Sequence, residues 1–307
     1  MQNSMRNVRR FFRINMPLRA YVTPRSPITD RDILATGANY YPDSVANQIN
    51  HQKVIVNSAL NKVQDSKEAI MAIFSEILDH LEFYEECLLE LSRGYNPKKD
   101  TSKLFKLNSH LEGLPKLNLL KTSSPKTYTY LKLIEEKYIY FLQRLDEVLT
   151  HSDPNNFYAP TPIPVGFKLD EFCAKLSDEK YNAIPLLQAI IQTSQLLNIY
   201  TEMFRNLHND HSQRQHPELW ESEPANVSAS GLALKLRKGL KLNERLDVLI
   251  YFKDDERLLL FEGIVVNIQS DAESFYERVA MNFEFPNGRD QTYLLAQIQK
   301  YELSECF

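Results

Sequence analysis

Between Pro42 and Gly94 the chain runs for 51 residues without a proline or a glycine. Those two residues stand where a helix starts and stops. Inside the span Ile49, Val56, Val63, Ile70, Ile77, Tyr84 and Leu91 recur every seven residues, and Leu60, Phe74, Leu81 and Leu88 widen the same stripe. A seven-residue apolar period stays on one side of a helix only when helices supercoil on one another. One helix over the whole span is about 76 Å long at 1.5 Å per residue, more than a small domain can cover. The spacing therefore predicts a coiled-coil helix over 43–93 that joins copies of the chain into a homo-oligomer. The alternative is a break near Ser66–Lys67, the weak point of the stripe, and a bundle within one chain.

Two further segments carry helical spacing. Thr127 to Thr150 places Leu131, Ile134, Tyr138, Phe141, Leu145 and Val148 in four-three order, and Asp178 to Asn209 places Leu187, Ile190, Ile191, Leu197 and Phe204 less regularly. Pro154, Pro160, Pro162 and Pro164 mark an extended linker between them. Either side of this helical zone the period changes to two. Ile14, Met16, Leu18, Ala20 and Val22 alternate near the start. Leu246, Val248, Ile250 and Phe252, then Leu258 to Ile268, then Val279, Met281, Phe283 and Phe285 do so near the end. Asp290 to Glu302 closes the chain with helical spacing. A lone strand needs partners, so the first strand is expected to join the later ones. The expected architecture is α+β, a small antiparallel β-barrel with a C-terminal helix, interrupted by a long helical insertion. The expected divisions are 1–27 for the arm and first strand, 28–215 for the insertion, and 216–307 for the rest of the barrel.

Charge and composition exclude several classes. The net charge of -4 argues against a general DNA binder, which needs a basic excess to neutralise phosphates. No segment has the roughly 18 uncharged apolar residues of a membrane span, and the basic first 13 residues lack the apolar stretch of a secretory signal. A cytoplasmic location is expected. Cys87, Cys173 and Cys306 are isolated and odd in number, which fits reduced thiols better than a disulfide framework or a zinc site.

No catalytic pattern is present, and no enzyme activity is expected. His208, His211 and His216 gather after the third helical segment, but no further ligand completes a metal set, and a solvated helix end is the better reading. Glu82, Glu85, Glu86 and Glu90 read as a solvated helix face. Two short patterns remain. Arg9 and Arg13 form an RxxxR pair just before the first strand (Arg6 and Arg10 fit the same spacing), and Asn226-Val227-Ser228-Ala229-Ser230-Gly231 reads NxSxxG.

Together, in that order and in that strand context, these patterns resemble the signature of the PilZ domain, the bacterial receptor module for cyclic di-GMP. Later blocks agree: Gly239, Gly263-Ile264-Val265-Val266, then Val279 to Phe283 and the closing helix. The resemblance covers residues 6–25 and 216–307 and leaves out the helical zone. It implies a ligand site formed by Arg9, Arg10, Arg13, Asn226, Ser228 and Gly231, with no cofactor. It also implies a second-messenger signal relayed to an unidentified downstream protein. Arginine suits the ligand, because its planar fork meets guanine O6 and N7 bidentately, pairs with phosphate, and stacks on a base. The alternative function is a PilZ-shaped scaffold at a pilus or flagellar assembly that binds no nucleotide.

Overall fold

The computed structural model describes every residue except 1–11, 26, 27, 29, 65, 162, 177–180, 182, 214, 215, 271–275, 285 and 307. Arg9, Arg10 and most of the basic arm therefore lie outside the described residues. The chain forms two compact units. One comprises residues 1–27, 36–42 and 212–307, and the other residues 28–35 and 43–211.

The first unit is a closed antiparallel barrel. Its strands are β1 (Ile14–Pro24), β2 (Glu223–Ser228), β3 (Gly231–Leu236), β4 (Arg245–Phe252), β5 (Arg257–Ser270) and β6 (Glu277–Glu284). They are hydrogen-bonded in the order β1-β2-β3-β6-β5-β4, with β1 closing the ring against β4. The N-terminal strand thus fills a gap between two strands more than 200 residues away, with Ile14 opposite Val227 and Tyr21 opposite Leu249. Strict alternation sends Met16, Leu18, Val22, Val227, Leu232, Leu246, Val248, Phe261, Val265, Val279 and Met281 into a shared core. The last helix of the chain, Gly288–Glu305, starts at an Asn287 side chain that accepts from the Arg289 amide. It buries Leu294 and Ile298 in the same core. Arg257 pins this helix through Asp290 (3.0 Å) and lies over the Tyr293 ring.

One correction concerns the boundaries. Residues 36–42 belong with the barrel rather than with the insertion. Asn39 bridges to Gly239, whose amide donates to the Asn39 carbonyl at 2.6 Å. A Cβ at Gly239 would sit 3.0 Å from Pro42 Cβ, so the glycine permits this approach.

The second unit is helical: α1 (Asp43–Asn61), α2 (Lys67–Ser92), α3 (Thr101–Leu111), α4 (Leu120–Ser123), α5 (Pro125–His151), α6 (Lys168–Leu176) and α7 (Pro185–Gln213), whose last two residues belong to the barrel unit. The single helix expected over 43–93 is in fact two, and the break falls at Ser66, which takes a left-handed conformation with φ of 52°. All seven positions of the seven-residue repeat are buried within this one chain. Tyr84, for instance, meets Tyr138 of α5 and Phe204 of α7 edge-on. The stripe is consumed internally, so the expectation of a homo-oligomer through 43–93 loses its premise. Because a left-handed residue with a Cβ is strained, Ser66→Gly is expected to raise stability by about 0.5–1 kcal/mol. A urea midpoint below that of the parent protein would contradict this.

No helix among the described residues is long and apolar enough to cross a membrane.

Candidate functional site

The motif residues meet where β1 enters the barrel beside the β2–β3 hairpin. Asn15 and Asn226 are opposite one another, and Asn226 Nδ2 donates to Asn15 Oδ1 at 2.8 Å on the outer face. Arg13 directly precedes Ile14, the partner of Val227, so the register brings its backbone alongside Ser228. Ile14 packs against the core. Continued alternation therefore assigns Arg13 to the same outer face as Asn15 and Asn226. The arginine and the two asparagines form one patch of wall, although 213 positions separate Arg13 from Asn226 in the sequence.

Ser228 plays a different part from the surface donor expected of it. It is fully buried. Its hydroxyl donates to the Gly231 carbonyl at 3.2 Å, accepts from the Ser230 amide at 3.3 Å, and lies 3.2 Å from the Ser230 hydroxyl. It ties the two-residue turn of the hairpin. That turn is held from outside as well, since Gln291 Nε2 donates to the Ala229 carbonyl at 2.9 Å. Ser228→Ala should accordingly cost about 1 kcal/mol of stability. Thermal melting that leaves the variant unchanged would contradict the turn role. Gly231 is fixed by space rather than by a positive φ. A Cβ there would lie 2.3 Å from the Met281 carbonyl oxygen, backbone of the neighbouring strand.

The sequence reading missed the remainder of this wall. Asn226 is opposite Ala233, and Ala233 is opposite Ala280, so the strands beside the asparagine carry only methyl groups on that face. One step along, Lys235 is opposite Arg278, and Arg237 lies over the Tyr276 ring at 4.6 Å. The period-two pattern held part of this signal: on this face β3 carries Gly231, Ala233 and Lys235, and β6 carries Arg278, Ala280, Asn282 and Glu284. The wall can offer amide donors and positive charge to an anion. A cleft of about 280 Å³ between β1, β4 and the last helix is lined by Arg19, Lys253, Asp254, Asp255, Lys300 and Tyr301, among others, and includes no motif residue.

Other candidates resolve differently. His208 and His211 are buried, not solvated, and His211 stacks flat on Phe157 with ring centroids 3.9 Å apart. Burial holds the His208 imidazolium form down. The α2 carboxylates pair with lysines, Glu82 and Glu85 with Lys53, and Glu86 and Glu90 with Lys103. The three cysteines are free thiols, and burial pushes Cys87 up to about 12.

Residues 206–300 match the family model of the PilZ domain. The match spans β2 to β6 and most of the last helix, and it leaves out β1. No curated protein matches the chain. Among solved structures, that of the Bacillus subtilis inhibitor of motility (MotI/DgrA) is similar at 26% identity, covering 27% of this chain and 42% of that one with a TM-score of 0.24. The present chain thus spans less than half the length of that protein.

Proposed function

We propose that this chain, which carries a PilZ domain in its barrel, is a receptor for cyclic di-GMP that passes the signal on through protein contacts. The observation that carries the reading is the register at the mouth of β1. Arg13, Asn15 and Asn226 share one outward patch, with Lys235 and Arg278 further along the same wall. Arg9 and Arg10, a few residues before Arg13, complete the basic set in sequence. The ligand is a compact dianion with two guanines. Arginine forks answer both features, and amide side chains add directional hydrogen bonds. PilZ domains are receptor modules rather than enzymes, and the reading assigns no catalytic step to the chain.

The second reading, a PilZ-shaped scaffold that binds no nucleotide, draws on one specific observation. The Ser228 hydroxyl and the Asn226 amide already have partners within the barrel domain itself, one in the hairpin turn and one on the outer wall. Calorimetric titration of the full chain separates the two. A receptor gives saturable heat with cyclic di-GMP and none with GMP at the same concentration. A scaffold gives no heat with either.

A further inference from the structure

The helical unit holds a buried polar cluster that nucleotide binding does not use. Asp79 and His80 are neighbours on α2, and His110 lies in the last turn of α3. One ligand atom from each lies within 4.8 Å of the others. The two imidazoles are 93% and 96% shielded from solvent and stack with centroids 3.6 Å apart.

Their hydrogen bonds place the nitrogens. His80 Nδ1 faces the Glu76 carbonyl at 2.9 Å. A carbonyl only accepts, so Nδ1 carries the hydrogen and Nε2 is left as a lone pair. Tyr138 donates its single hydroxyl proton to the His80 carbonyl at 3.2 Å. The same hydroxyl lies 3.1 Å from His110 Nδ1, which leaves His110 Nε2 facing the Asp79 carboxylate. That atom lies 3.5 Å from Asp79 Oδ2, and the other carboxylate oxygen is held by Lys106 at 3.0 Å. His80 Nε2 is buried with no hydrogen-bond partner.

A buried nitrogen without a partner, His80 Nε2, thus lies beside a second imidazole nitrogen and a carboxylate oxygen, an arrangement that costs free energy unless a cation joins it. We propose that Asp79, His80 and His110 bind one divalent transition-metal ion of the zinc class. Two imidazoles and one carboxylate are a common donor set for such ions, with a fourth position left to water. The Tyr138 hydroxyl is the outer partner that orients His110. Parallel rings carry their nitrogens side by side, so binding requires His80 to turn about its χ2, which gives up its bond to the Glu76 carbonyl. Asp79 is exposed and gives the ion its way in. The ion would clamp α2 to α3.

The test uses the full chain, stripped with EDTA and titrated with Co²⁺ alone while visible absorption is followed. Ligand-field bands should grow to saturation at one equivalent and vanish when Zn²⁺ displaces the cobalt. Asp79→Asn alters an exposed side chain and leaves the core intact, and it should weaken Co²⁺ binding at least tenfold, as should His110→Gln. Tyr138→Phe should weaken it by about 10- to 100-fold. Absent bands at one equivalent, or an Asp79→Asn protein that titrates like the parent, would overturn the proposal. The outcome is independent of the nucleotide reading, because a chain that ignores cyclic di-GMP can still hold the ion.

Discussion

Gly231→Ala is expected to destabilise the barrel by about 3 kcal/mol. An alanine methyl at this position would approach the Met281 carbonyl oxygen to 2.3 Å and the Asn282 Cα to 3.0 Å. Both atoms are backbone of β6, locked in register with β3 and β5, so neither can swing aside as a flexible side chain would. Relief requires β3 and β6 to part at the end where β3 begins. That movement strains the adjoining Phe283 amide bond to the Ser230 carbonyl (2.9 Å). Overpacking of a rigid interior costs about 1–3 kcal/mol, and a clash with main chain belongs at the upper end. The chain has one tryptophan. Trp220 is buried, stacks on Tyr21 and donates its indole hydrogen to the Gln213 carbonyl at 2.8 Å, all within the barrel unit. Its fluorescence therefore reports barrel unfolding separately from the helices. The urea transition followed by Trp220 should move to lower denaturant with little change in slope. A midpoint within about 0.5 kcal/mol of the parent would show that the strands yield, and that space does not dictate glycine here.

The barrel was largely legible in the sequence because strand alternation is a local signal. Leu246 to Phe252, Leu258 to Ile268 and Val279 onward correspond to β4, β5 and β6. The pairing of Ile14 to Val22 with strands over 200 residues away followed from an unpaired strand's need for neighbours. Thr127 to Thr150 likewise anticipated α5, which begins at Pro125 and ends at His151. What stayed hidden depends on contacts between distant segments. The break at Ser66 showed only as a weak point of the stripe, because Val63 and Ile70, on either side of it, keep the period and are both buried. The repeat continues through a residue that turns left-handed. His208 and His211 look solvated at a helix end until Phe157, from the proline-rich linker, covers them. Helix α3 went unread, and with it the placement of His110 against His80. In the candidate site, spacing marked Asn226, Ser228 and Gly231 but could not separate their tasks. One bonds across the outer wall, one ties a turn, and one makes room for a neighbouring strand.

Replacing the arginines should have the largest effect on ligand binding. Arg13→Ala is expected to weaken cyclic di-GMP binding by about 1–3 kcal/mol, the range for losing one bidentate arginine contact to a guanine edge. That corresponds to roughly a 5- to 150-fold rise in Kd. Arg9→Ala should do the same through the four-residue spacing. The double variant should lose more than either single one, without strict additivity if both grip the same nucleotide. Arg13→Lys discriminates fork from charge. Lysine keeps the positive charge but not the planar pair of donors, so it should retain a phosphate contact and lose a guanine one. Added salt then reads the same distinction a second way, because phosphate pairing is screened while a base-edge fork is less so. These substitutions leave the Trp220-reported stability unchanged if Arg13 serves the ligand, since Arg13 is not part of the hydrophobic core. Calorimetry on the four proteins, parent, two single variants and the double, decides the matter. Binding by Arg13→Ala equal to that of the parent would remove Arg13 from the site and leave Asn15 and Asn226 as features of the barrel wall alone.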